Sequence, residues 1–182
     1  LKKKRVVAKY LHTANSPAFV WFSESQLNLV RLGMAVFGLQ PSLSKNYPLP
    51  IKCGLTWKTK ILQIKYVKKG ESVGYDNGWI ATKKTRIACI SVGYADGFRY
   101  GPQNFGYVLC GGKKAPIIGK VSMSLATIQI SSSPKLTVGD EVVIIGKQGK
   151  LTITPEDIAR NTGSSNEEII TNISKSLPRI FL

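Results

Sequence analysis

The pattern of hydrophobic positions changes along the chain near residues 41–50. After that segment, short runs rich in β-branched and aromatic residues alternate with polar residues and are separated by glycines, which is typical of antiparallel strands. These runs predict strands at residues 55–66, 85–92, 106–110, 115–123, 126–130 and 141–145. The pattern therefore predicts a mainly β fold, with an antiparallel β-barrel or sandwich after the segment.

Capping residues predict two short helices near residue 182. Thr154 precedes Pro155, and Gly163 lies where that helix would end. Ser165 is followed three residues later by Glu168, which favours a second helix start. Serine and threonine are favoured before a helix, proline at its first position and glycine just after it.

The first forty residues show a different pattern. Residues 5–10 form a short β-prone run, residues 23–26 resemble a capping box for a helix ending near Arg31, and residues 35–39 form a second β-prone run. This order of strand, helix and strand is typical of a parallel α/β unit. Residues 41–50 contain three prolines and are predicted to be a linker. We therefore predict domains at residues 1–44 and 45–182.

Length and composition permit a folded core, since the chain has 182 residues and 43% of them are hydrophobic. No stretch approaches the roughly 18 apolar residues that a membrane span needs, so no membrane partner and a cytoplasmic location are predicted. Cys53, Cys89 and Cys110 lack Cys-x-x-Cys spacing, which indicates buried or inert thiols and no metal site.

The net charge of +16 raises the possibility of an anionic partner. The lysines are scattered through strand-like segments, however, and no basic motif interleaved with aromatic residues is present. No nucleic-acid partner is therefore predicted, although a basic β-barrel that binds nucleic acid stays open as an alternative.

Two polar segments near residue 1 are candidate ligand contacts. Asn15 and Ser16 follow the first predicted strand, while Arg31 and Gly33 precede the second. In a parallel α/β barrel the strand ends carry ligand contacts, and a glycine lets backbone amides approach a phosphate. An ordinary capping loop beside a surface arginine explains the same residues.

Five motifs together resemble the C-terminal half of bacterial alanine racemase. They are His-Thr-Ala-Asn-Ser-Pro-Ala at 12–18, Val-Arg-Leu-Gly-Met at 30–34, Gly-Glu-Ser-Val-Gly-Tyr at 70–75, Ser-Val-Gly-Tyr-Ala-Asp-Gly at 91–97 and Ile-Gly-Lys-Val-Ser-Met at 118–123. The resemblance implies that residues 1–44 are the last strand-helix-strand piece of a (β/α)8 barrel, followed by the racemase β domain. It also implies interconversion of L-alanine and D-alanine with pyridoxal 5'-phosphate (PLP), for peptidoglycan precursors.

The resemblance assigns cofactor contacts to the first two motifs. By this resemblance Asn15, Ser16, Gly33 and Met34 would hold the PLP phosphate, and Arg31 would face the ring nitrogen. An arginine only donates hydrogen bonds, so it would leave that nitrogen unprotonated and weaken the cofactor as an electron sink.

The other motifs carry the expected chemistry of the substrate. By resemblance Tyr75 is the catalytic base, Tyr94 contacts the substrate, and Met123 offers its backbone amide to the substrate carboxylate. The alternative from the residues alone is that Tyr75 is a β-turn residue, Tyr94 a packed strand end and Met123 a core side chain. Asp96 before Gly97 is interpreted as a turn-forming residue.

The racemase PLP lysine lies in a part of the barrel that these residues do not resemble. The resemblance therefore implies that the isolated chain is inactive and needs a lysine-bearing N-terminal half in trans, a homodimer partner, or both. Its substrate would be a small amino acid.

Four residues depart from the racemase pattern: Asp76 stands for a glycine, Lys120 for an arginine, Ser124 for an aspartate and Glu167 for a tyrosine. Ser124 and Glu167 favour an alternative, a truncated and noncatalytic β domain that acts as a dimerisation or interaction module. A PLP decarboxylase of the same barrel class is a further alternative.

Overall fold

The computed structural model describes residues 7–40, 50–100, 105–131, 133 and 135–181. The chain divides into two compact units, Leu1–Gly54 and Leu55–Leu182. Nearly all of the predicted linker, at 41–49, lies outside the described residues, as does the predicted domain boundary at residue 44. That boundary stays a prediction.

The C-terminal unit is built mainly from antiparallel strands, which confirms the predicted fold class. Its described strands are β1 (Trp57–Val67), β2 (Ser72–Val73), β3 (Trp79–Ile80), β4 (Thr85–Ile90), β5 (Tyr107–Cys110), β6 (Lys113–Ile118), β7 (Ala126–Gln129), β8 (Glu141–Gln148) and β9 (Leu151–Ile153). Seven of them form one sheet in the order β1-β4-β7-β6-β5-β8-β9, and β1 also pairs with β8. This extra pairing closes six strands into a barrel, which leaves them no unpaired edge.

The barrel core follows from the hydrophobic runs. Trp57 makes edge-to-face contacts with Phe98 and Phe105, at centroid distances of 6.1 and 6.2 Å. Residues 142–145 of β8 are buried consecutively because the hydrophobic cluster includes residues of helix α2 (Pro155–Thr162) as well as of the sheet. Aliphatic side chains from most of the sheet strands complete this core, among them Ile61, Ile90, Val108, Leu109, Ile128, Ile144 and Ile153.

Both C-terminal helices begin where their capping residues predict, and the first also ends at its predicted glycine. The Thr154 hydroxyl accepts a hydrogen bond from the Asp157 amide at 3.1 Å, and Gly163 ends α2 with φ +64°. Helix α3 (Asn166–Thr171) begins after Ser165, whose hydroxyl accepts from the Glu168 amide at 3.1 Å. These caps satisfy amides that have no partner within the helix.

Three local predictions for the N-terminal unit are wrong. Its described part contains helix α1 (Ser16–Trp21) and 3-10 turns at Ser23–Ser25 and Met34–Phe37, and no strand at residues 7–10 or 35–39. Strands need hydrogen-bonding neighbours, and the described part of this unit offers none. The helix also begins earlier than predicted, because the Asn15 side chain caps it by accepting from the Ala18 amide at 3.1 Å.

The aromatic cluster generates a test of the barrel core. Phe98 is 1% exposed. Phe98→Ala is expected to lower the free energy of unfolding by about 3–5 kcal/mol, because it leaves a cavity between two aromatic rings. Urea unfolding followed by tryptophan fluorescence measures the change. Leu62→Ala, at a side chain that is 49% exposed, is the control and should change stability by less than about 0.5 kcal/mol. Equal effects would contradict this core assignment.

Candidate active site

The Tyr75 side chain lies on a turn between two short strands. Strand β2 leads through Gly74 into a 3-10 turn, Tyr75–Asn77, and the chain returns along β3. A second hydrophobic cluster holds this hairpin on the sheet; it contains Val67, Val73, Ala81, Ile87 and Ile118, with Trp79 packed against it. Tyr75 itself is 60% exposed, so its phenol is available to a ligand.

The Tyr94 side chain lies on a turn at the end of β4. Asp96 shapes this turn, because its carboxylate accepts a hydrogen bond from the Gly93 amide at 2.9 Å. The turn is fastened to a second loop, since the Tyr94 amide donates to the Ser122 carbonyl at 3.0 Å and the Ala95 amide donates to the Met123 carbonyl at 2.9 Å. Tyr94 is a half-exposed turn residue and not a packed strand end.

Gly93 permits this close contact. A Cβ atom at Gly93 would lie 2.2 Å from the Met123 carbonyl oxygen, a distance that only a shift of the backbone would relieve. The sheet register explains why the two segments meet. Ile90, at the end of β4, pairs with Ala126, at the start of β7, so the chain that leaves β4 and the loop that enters β7 are neighbours.

Met123 lies in the loop between β6 and β7. Its side chain is 59% exposed and is therefore not a core side chain. Its carbonyl accepts from Ala95, whereas its amide has no hydrogen-bond acceptor among the residues that the structure describes. A free amide beside an open surface can donate to an anionic group such as a carboxylate.

These turns surround one cavity of about 670 Å³, lined by Tyr75, Asp76, Tyr94, Tyr100 and Met123. The structure therefore brings together the three predicted catalytic and substrate residues. Two further lining residues, Asp76 and Tyr100, were not predicted as site residues. The Tyr100 ring meets Tyr94 edge to face, at 5.6 Å between centroids. Glu167 lies in α3 and does not line this cavity.

The predicted cofactor residues lie together in the N-terminal unit. Ser16 is 3% exposed, and its hydroxyl accepts from the Gly33 amide at 3.0 Å. The Arg31 amide donates to the Ala14 carbonyl at 3.0 Å, and its guanidinium donates to the Thr13 carbonyl at 3.3 Å. Asn15 caps α1, and Met34 begins the second 3-10 turn. The start of α1 and the segment that leads into the second 3-10 turn thus carry all five residues.

Other reactive chemistry is limited in the described residues. Burial raises the pKa of Cys89 and, more strongly, that of Cys110 to about 11, so both are protonated thiols near neutral pH. The part of the chain that the structure describes has no cluster of three or more histidine, cysteine, aspartate or glutamate side chains suited to a metal ion. In that same part, no helix is long and apolar enough to cross a bilayer.

Comparisons with known proteins agree across the chain. The family model for the alanine racemase C-terminal domain matches residues 54–181, and that for the N-terminal domain matches residues 1–41. An alanine racemase of Halothermothrix orenii is 40% identical over 181 residues, covering 100% of this chain and 48% of its own length. The chain therefore spans about half the length of this relative.

Solved structures give the same result. The alanine racemase of Bacillus anthracis with bound L-Ala-P is 36% identical, with a TM-score of 0.92, and the match covers 100% of this chain and 47% of that one. A histidine racemase of Leuconostoc mesenteroides is 29% identical, with a TM-score of 0.87, over 98% of this chain and 48% of that one.

The β-barrel and its matches define a racemase-type β domain in the C-terminal unit. More specifically, the chain belongs to the alanine racemase family, as the two family models show.

A substitution at Gly93 tests the close contact between the Tyr94 turn and the Met123 loop. Gly93→Ala is expected to push the Met123 loop away from the Tyr94 turn and to lower the free energy of unfolding by about 1–3 kcal/mol. Chemical unfolding measures the loss. Gly54→Ala is the matched control, because no heavy atom lies within 4 Å of a Cβ placed there. A Gly93→Ala protein as stable as this control would argue against the close contact.

Proposed function

We propose that this chain supplies the tyrosine-bearing part of a PLP-dependent enzyme that interconverts L-alanine and D-alanine. One observation carries the proposal: Tyr75, Tyr94 and Met123 line a single open cavity in a chain of the alanine racemase family. Supply of D-alanine for peptidoglycan precursors is the corresponding biological role.

The residues of the N-terminal unit fit the phosphate of PLP. An anion needs several converging hydrogen-bond donors. The Ser16 hydroxyl accepts from the Gly33 amide at 3.0 Å and keeps its own proton to donate, and the Met34 amide has no acceptor among the described residues. No heavy atom lies within 4 Å of a Cβ placed at Gly33, so an anion has room there. Asn15, Ser16, Gly33 and Met34 would hold the phosphate.

Arg31 would control the protonation of the cofactor ring nitrogen. PLP, when bound, supplies an electron sink for the charge left when the α-carbon loses its proton. Arg31 has five N–H donors and no acceptor; the structure shows one donor bonded to the Thr13 carbonyl at 3.3 Å. Its remaining donors would face the ring nitrogen and keep it unprotonated.

Racemisation needs a proton acceptor on one face of the α-carbon and a donor on the other. The Tyr75 phenol oxygen would serve one face, and a lysine outside these residues the other. The Met123 backbone amide would donate a hydrogen bond to the substrate carboxylate. Tyr94 would contact the substrate at the adjacent wall of the cavity. All three residues are exposed and line the cavity.

The partner proposed for this chain is the lysine-bearing part of a racemase. The matched relatives extend over about twice the length of this chain, and the family motif for the PLP lysine is not found among its 182 residues. The lysine part would act in trans or within an assembly, with a homodimer as the family arrangement. A histidine racemase matches the same fold, so alanine and histidine are both substrates to assay.

Reconstitution tests the proposed function. The purified chain is mixed with a lysine-bearing racemase N-terminal half and PLP, and D-alanine formed from L-alanine is measured, with each polypeptide alone as control. We expect D-alanine only from the mixture. A mixture that forms a complex but produces no D-alanine and exchanges no α-proton would instead favour the noncatalytic interaction module.

Tyr75→Phe tests the role of the phenol within that mixture. Removing the phenol oxygen is expected to slow α-deuterium exchange from L-alanine by about 100- to 10,000-fold, while the PLP absorbance stays unchanged. Tyr66→Phe is the matched control, since Tyr66 is 61% exposed but lies on β1 away from the cavity lining. Unchanged exchange in Tyr75→Phe would exclude Tyr75 as the base.

A further inference from the structure

The Tyr75 turn packs directly on the backbone that leads to Met123. A Cβ at Gly74 would lie 2.7 Å from the Lys120 amide nitrogen, and a Cβ at Gly119 would lie 2.6 Å from the Val73 carbonyl oxygen. Side chains at either glycine would therefore force the two segments apart. This contact leaves Lys120 directly beside the turn that carries Tyr75.

An ion pair joins the same two segments. The Lys120 ammonium donates to the Asp76 carboxylate, and Asp76 follows Tyr75 in the chain. The Lys120 stem lies along the turn, since a Cβ at Gly78 would be 3.3 Å from Lys120 Cγ. The hydrogen bond to Asp76 is the main cause that raises the pKa of Lys120, and the negative charge of Asp76 also raises it. The ammonium is therefore charged at neutral pH.

The turn adopts a backbone conformation that few residues favour. Asp76 and Asn77 have φ values of +55° and +52°, in the left-handed region where non-glycine residues are uncommon. A turn of this kind persists when its surroundings hold it. The Asp76 carboxylate supplies one such restraint. Asp76 and Lys120 are also two positions at which the sequence departs from the racemase motifs.

We propose that Asp76 and Lys120 form a positioning pair, which fixes the Tyr75 turn against the Met123 loop and so sets the direction of the Tyr75 phenol in the cavity. The effect of this pair on catalysis rests on the proposed function, whereas its effect on the Tyr75 turn does not. Neither residue is assigned a proton-transfer step; each acts on Tyr75 through the turn.

An exposed ion pair without this role would leave Tyr75 unchanged. The Asp76 side chain is 75% exposed and that of Lys120 39%, and pairs on open surfaces often contribute little to stability. Loss of stability is therefore a poor measure of the proposal. The chemical environment of the Tyr75 ring is the informative measure.

The test uses the full 182-residue chain labelled with 3-fluorotyrosine, which gives one fluorine resonance for each of its seven tyrosines. Tyr75→Phe assigns the Tyr75 resonance by its disappearance. Asp76→Asn removes the charge but keeps a residue that tolerates the left-handed region, and Lys120→Met keeps the unbranched stem. Lys120→Arg keeps the positive charge and is the conservative rescue.

Asp76→Asn, Lys120→Met and the double variant are expected to shift the Tyr75 resonance to one common position, beyond the wild-type linewidth. Lys120→Arg should stay near the wild-type position. Raising the salt concentration should move the wild-type resonance toward the variants, because salt weakens exposed ion pairs. Lys58→Met and Glu141→Gln are the matched controls, since they break an exposed pair of 2.8 Å on β1 and β8.

A Tyr75 resonance that stays in place in both single variants, or that moves equally in the Lys58 and Glu141 controls, would overturn the positioning pair. The measurement needs neither PLP nor the lysine-bearing half. A failure of racemisation in the reconstituted mixture would therefore count against the proposed function alone.

Discussion

The cavity depends on two backbone hydrogen bonds, those from Tyr94 and Ala95 to the carbonyls of Ser122 and Met123. They tie the turn after β4 to the loop before β7. Gly93 makes them possible, because any side chain there would meet the Met123 carbonyl. These amides and carbonyls are used within the protein, whereas the Met123 amide has no acceptor among the described residues, and Met123 lines the cavity.

The closed barrel supplies the frame for this contact. Pairing of β1 with both β4 and β8 leaves the strands of the barrel in a fixed order, and the register of Ile90 with Ala126 sets which loops are adjacent. The β2–β3 hairpin is added to the frame through its own hydrophobic cluster and through Asp76 and Lys120. Rigid strands thus hold three turns that carry exposed, chemically useful groups.

Elements that are specified by nearby residues were predictable from the sequence, whereas elements that depend on distant partners were not. The helix starts at Thr154 and Ser165 are confirmed because a cap is satisfied within three residues. The strands predicted at 5–10 and 35–39 are not found in the described residues, since strand formation requires neighbouring strands. The two-residue strands β2 and β3 were too short and too close to glycines to form a recognisable run.

The candidate site also combines features that were predictable from the sequence with features that were not. The motifs containing Tyr75, Tyr94 and Met123 were identified by resemblance, but their spacing alone does not place them at one cavity; the barrel register does. Tyr100 carried no signal, because an aromatic residue after an Arg has no periodicity or motif of its own. Asp76 and Lys120 were noted only as departures, and their pairing becomes visible when the Tyr75 turn and the β6–β7 loop are seen in contact.

Amide hydrogen exchange of the 182-residue chain measures how firmly the Tyr94 turn is held on the Met123 loop. The Tyr94 and Ala95 amides are expected to exchange far more slowly than in an unfolded chain, because both are hydrogen-bonded to the Met123 loop, while the Met123 amide in that loop should exchange rapidly. If Tyr94 and Ala95 exchange as fast as Met123, the turns are not held together and the cavity is not a preformed site.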